Sequence, residues 1–127
     1  MPLILPRWLG GRRRPLVTPI IVQVIHFICE QDGSAERDLK VQWRPLLIAS
    51  PEVRVAYLVR VTYGDDKTEH VLLAIRSTGP LDADLAFSLR APFADEFNRD
   101  ATLDIARVNA DQESKIIEVC SPFYVAT

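Results

Sequence analysis

The sequence predicts an α+β domain, a ferredoxin-like β-α-β-β-α-β(-α) sandwich with one antiparallel sheet and its helices on one face. Three observations carry that expectation. Residues 53–76 alternate with period two on both sides of a turn, two other stretches repeat apolar residues at helical spacing, and the elements follow one another in the order this sandwich requires.

Ile20 to Cys29 is dominated by β-branched residues, which suit a pleated surface, so a strand is expected there, with a helix as the alternative for so short an apolar run. Gln31-Asp32-Gly33-Ser34 is turn chemistry, and Ser34 is placed to cap a helix running towards Ala49 with Leu39, Trp43, Leu46 and Leu47 on one side. Pro45 interrupts that run and predicts a kink or two shorter pieces.

Val53, Val55, Tyr57, Val59, Val61 and Tyr63 alternate with Arg54, Ala56, Leu58, Arg60 and Thr62, which is a strand. Gly64-Asp65-Asp66-Lys67 supplies a turn, and Glu69 to Arg76 resumes the alternation, so the two strands form an antiparallel hairpin. After Gly79-Pro80, Leu85, Leu89, Phe93 and Phe97 recur every four positions behind Asp82 and Asp84, the pattern of a helix, bent at Pro92. Leu103, Ile105 and Val108 predict a short strand. Asn109 with Gln112 resembles a capping box, opening a last helix through Ile116, Ile117 and Cys120 that Pro122 ends.

At 127 residues, 48% of them hydrophobic and 25% charged, the chain suits one soluble domain. Two parts are expected: a flexible basic arm at 1–19 and a single α+β domain at 20–127. The arm holds Arg7, Arg12, Arg13 and Arg14 and no acid, so with a net charge of −2 the remainder carries −6. Such a body repels a phosphate backbone, and nucleic acid is not an expected partner. The arginines followed by Pro15 to Cys29 imitate a secretion signal, but Pro15, Pro19, Gln23 and His26 interrupt the apolar run. Its fifteen residues are also short of the roughly 20 a membrane-spanning helix needs.

Chemical motifs are sparse. The five glycines form no phosphate-binding loop, no serine sits in a nucleophile elbow, and Cys29 and Cys120 read as two reduced thiols of a cytoplasmic protein. His26 and His70 read as ordinary strand residues, and Asp65-Asp66 as a hairpin turn rather than a calcium site. No catalytic, cofactor-binding or metal-ligating residue is assigned, and no cofactor is expected.

The feature with functional content is the hairpin's second face. If Val53, Val55, Val59, Val61, Val71, Leu73 and Ile75 meet the helices, then Arg54, Leu58, Arg60, His70, Leu72 and Arg76 turn outward. Leucines on a water-facing sheet point to a cover. Two functional readings follow: a homodimer through this open sheet face, or a shallow pocket in which Arg54, Arg60 and Arg76 hold a small carboxylate such as an amino acid. The bland alternative is that the arm or the last segment lies over the face.

Ser50-Pro51-Glu52-Val53-Arg54-Val55-Ala56-Tyr57-Leu58, the hairpin, helix and strand that follow, and the closing Ser121-Pro122-Phe123-Tyr124 resemble the C-terminal domain of the SseB family, the enhanced serine sensitivity proteins of bacteria. The likeness spans residues 46–124. It implies a bacterial cytoplasmic protein and brings no catalytic residues, while the family's N-terminal partner domain has no counterpart here. The expected function is a non-enzymatic interaction or regulatory domain. An amino-acid or other carboxylate sensor is the alternative, and an enzyme comes third.

Overall fold

The computed structural model describes residues 24–97 and 103–127; the basic arm expected at 1–19 lies outside them. The elements are β1 (Ile25–Glu30), α1 (Ser34–Ile48), β2 (Val53–Tyr63), β3 (His70–Ser77), α2 (Ala83–Glu96), β4 (Leu103–Arg107), α3 (Ala110–Ile116) and β5 (Tyr124–Val125). The α+β expectation holds.

Local chemistry explains most boundaries. Asp82 caps α2 by accepting from the Asp84 N–H, and Asn109 and Gln112 form the full capping box at the start of α3. The cap of α1 differs from expectation: Gly33, not Ser34, holds the N-cap position, with no side-chain hydrogen bond. Pro45 and Pro92 each lie inside a helix that continues past them, so α1 is one helix rather than two shorter pieces, and Pro45 leaves the Val41 carbonyl without its intrahelical donor.

The sheet runs β1-β2-β3-β4, with β5 sharing the β1 edge of β2. It is mixed, because α2 carries the chain back across the sheet and lays β4 parallel to β3, whereas the other pairs are antiparallel. This corrects the ferredoxin-like order. A split β-α-β motif places a third strand between the two that a helix joins, but here β1 pairs directly with β2 and β3 directly with β4.

Both sheet faces are covered. Ala56 and Leu58 of β2, with Leu73 and Ile75 of β3, pack beneath Leu39, Trp43 and Leu47 of α1 and Leu85, Leu89 and Phe93 of α2. The Trp43 indole donates to the Leu89 carbonyl at 2.7 Å and ties the two helices together. On the opposite face Tyr57, Val59, Val61, Leu72 and Ala74 pack against Ile116 of α3, Val108 and Cys120.

The predicted facing of the hairpin is therefore half inverted. In β3 the odd residues do meet the long helices, but in β2 Ala56 and Leu58 meet them while Val55, Val59 and Val61 lie on the α3 side. Register is the reason: Val59 pairs with Leu72 and Val61 with His70, so odd positions of β2 share a face with even positions of β3. A bulge between Val53 and Val55 then returns Val53 to the α1–α2 side.

Candidate functional site

Where β1 runs into α1, the backbone N–H of Gln31 donates to the Leu58 carbonyl at 3.0 Å, extending the β1–β2 contact by one residue and aiming Gln31 towards α1. The first turn of α1 then brings Glu36 back over Gly33. Its Oε1 would lie 2.5 Å from a Cβ placed on Gly33, so a larger residue there would push the end of the Glu36 side chain aside. The hairpin turn at Thr68 and Glu69 and the C-terminal half of α2 close the other sides.

Together these elements enclose a cleft of about 360 Å³. Its floor is apolar, made by Leu39, Leu58, Val71, Phe93 and Phe97, and its polar groups are Gln31, Glu36, Thr68, Glu69 and His70. The phenyl rings of Phe93 and Phe97 stack with centroids 4.7 Å apart.

A chain of hydrogen bonds runs along the rim. The Gln31 amide donates to Glu36 Oε2 at 2.7 Å, Arg60 Nε donates to Gln31 Oε1 at 3.0 Å, and Arg60 Nη1 reaches Glu69 Oε1 at 3.4 Å. Glu36 is only 8% exposed, and no cation lies within ion-pair distance of it among the described residues. The cleft thus holds two carboxylates and one guanidinium at its edge.

The six residues expected on one open face are divided. Leu58 and Leu72 are both 1% exposed, on opposite faces. Arg60 stands at the cleft rim and Arg54 is exposed, while Arg76 lies on the α3 face, paired with Glu113. His70 lines the cleft, its ring 5.1 Å from that of Tyr63 and its Nδ1 3.9 Å from Asp104 Oδ2. Among the described residues both sheet faces carry packed helices, and the three arginines do not surround a common pocket. Of the three, only Arg60 bonds to residues that line the cleft, Gln31 and Glu69.

Two further charged clusters have structural explanations. Lys40, nearly buried, places Nζ 2.9 Å from Asp32 Oδ1 and 3.7 Å from Glu30 Oε2 and lies over the Phe123 ring. Hydrogen bonds from Lys40 and then Arg37 hold the Asp32 carboxyl below its ordinary range. On the α3 face Glu113 accepts from Tyr57 and from Arg76, clamping a seven-residue helix to the sheet. Burial first, and then the bond to Glu113, push the Tyr57 phenol well above its ordinary value.

Asp66 accepts from the Thr68 N–H at 2.9 Å, the turn role expected of it, and that bond lowers its carboxyl pKa. Among the described residues no cluster of three or more His, Cys, Asp or Glu is arranged to hold a metal, and no helix is long and apolar enough to cross a membrane. Cys29 and Cys120 are not joined to each other. Sequence reasoning missed Gln31 and Glu36, because a glutamate in a first helical turn is where helix chemistry alone would put it.

No family model, no curated protein and no solved structure matches this chain.

Proposed function

We propose that the chain is a non-catalytic regulatory domain of the kind the resemblance to the SseB C-terminal domain implies, and that it acts by taking a small molecule into the cleft between α1, α2 and the hairpin turn. One observation carries the reading: a cavity of about 360 Å³ with an apolar floor and a few convergent polar groups has the size and lining of small-molecule sites. The cleft's polar groups engage one another, Gln31 with Glu36 and Arg60 with Glu69, rather than pairing a nucleophile with a base, which favours binding over turnover. The reading places the protein in the bacterial cytoplasm, in accord with two unbonded cysteines.

Screening the full chain with a fragment set by thermal shift, and mapping hits by amide chemical shifts, tests this. Saturable ligands should move Gln31, Glu36, Val71 and Phe93 and be lost in Thr68→Trp, which fills the mouth. Hits that map elsewhere, or none that saturate, overturn it.

A second reading is self-association, transferred from the sheet to the helical layer. The outer side of α2 presents Ala83, Phe87, Ala91 and Ala94, all exposed, with Phe87 78% accessible. Sedimentation should give twice the chain mass for the native protein and the monomer mass for Phe87→Asp. A monomeric native protein ends this reading.

A further inference from the structure

Among the described residues the buried carboxylate in the cleft has no counter-charge, although four of their cations stand near it in sequence or space. Lys40, one turn further along α1, is held by Asp32 and Glu30, and Arg37 turns to Asp32. Arg44 donates to the Phe123 carbonyl. Arg60 reaches Glu36 only through the neutral amide of Gln31 and spends Nη1 on Glu69. Glu36 therefore sits 8% exposed with one neutral donor, while an ionised carboxylate accepts about four hydrogen bonds.

We infer that the cleft selects a compact organic cation, a primary amine on an apolar body, whose ammonium is held by Glu36 and Glu69 while the body lies against Phe93 and Leu58. The inference rests on the cleft being a binding site and adds the sign of the ligand's charge. It reverses the carboxylate expected from Arg54, Arg60 and Arg76, because only Arg60 is at the site and it is already engaged by an acid.

Three features fit an ammonium together. Its three N–H donors find acceptors in Glu36, Glu69 and the Thr68 hydroxyl, which line the same cleft. The stacked Phe93 and Phe97 rings offer the aromatic surface on which a partly desolvated cation gains further attraction. Burial of Glu36 lowers the local dielectric, so its pairing with a cation is stronger than at the surface. The competing role for Glu36 is to offset the uncapped N-terminus of α1. That role would make Glu36 matter for stability and be indifferent to the ligand's charge.

Titration calorimetry of the full chain with benzylamine, benzyl alcohol and benzoate separates the two. Benzylamine should saturate about tenfold or more tighter than the alcohol, and benzoate should not bind. Glu36→Gln should remove that preference; if this variant does not fold, the native amine-to-alcohol ratio and its decrease in the exposed-site variant Glu69→Gln decide. Equal affinity for amine and alcohol, or tighter benzoate, overturns the cation inference while the cleft stands as a site. Failure of all three probes to bind, with fragments also failing to map to the cleft, ends both.

Discussion

Tyr57 and Glu113 lie 56 positions apart in the chain and share a 2.5 Å hydrogen bond, with the other carboxylate oxygen of Glu113 taken by Arg76. This one glutamate attaches α3 to β2 and β3. A seven-residue helix is too short to persist in isolation, so the clamp and the burial of Ile116 hold it against the sheet.

Alkaline pH should loosen that attachment. The Tyr57 phenol titrates above its unfolded value of 10.0, so its contribution is complete below that pH and is lost as pH rises towards the folded value. Urea melts at pH about 8 and about 11 should show lower stability at the higher pH, with the loss reduced in Tyr57→Phe. At neutral pH Glu113→Ala should cost about 1–3 kcal/mol, since it strands the Tyr57 hydroxyl and Arg76.

Cys120 should resist alkylation. The residue is 5% exposed, and burial is the main reason its thiol is pushed up to about 12, leaving little thiolate at neutral pH. Timed iodoacetamide labelling followed by peptide mass spectrometry should find Cys120 unmodified in the native state and modified in urea. The same raised pKa means its stabilising effect is present below 9.0 and fades as pH climbs through about 12, adding to the alkaline loss from Tyr57.

Gly33→Ala should destabilise the protein by less than about 1 kcal/mol, through the poorer N-cap and the displaced end of Glu36 rather than through backbone strain, because φ at Gly33 is −78° and suits any residue. Removing the carboxylate in Gly33→Ala/Glu36→Ala should recover the part of that loss that comes from displacing Glu36. A double-mutant cycle by chemical denaturation measures the coupling, and additive effects would contradict the contact.

Gly64 obeys a different constraint. Its φ of +56° is left-handed and no atom lies near its side-chain position, so the cost of substitution comes from the backbone alone. Gly64→Val should lower stability by more than about 1 kcal/mol and Gly64→Asn by distinctly less, as thermal melts of the two variants will show.

Much of the fold was legible wherever local chemistry decides. The period-two stretch at 53–63, the Asp82 and Asn109 caps and the four-residue spacing of Leu85, Leu89 and Phe93 all formed the elements expected of them. Gly33 takes the cap expected of Ser34, and the cap carries no side-chain hydrogen bond. The site was far less legible. Arg60, one of the expected face residues, bonds to two residues of the cleft, but Gln31, Glu36 and Phe97 lie in three separate stretches of the chain and carry no spacing that announces their meeting.

The sequence by itself determined which segments become strands and helices, since alternation, caps and turn residues act within a few positions of one another. Only the tertiary structure decided which sheet face each strand side meets, because alternation is equally satisfied by either choice and the register across Gly64–Glu69 makes it. The same choice buried Leu58 beneath α1 and α2, set Leu72 against α3, and closed the face on which those leucines were expected to meet a partner. The cleft and its buried carboxylate follow from that packing.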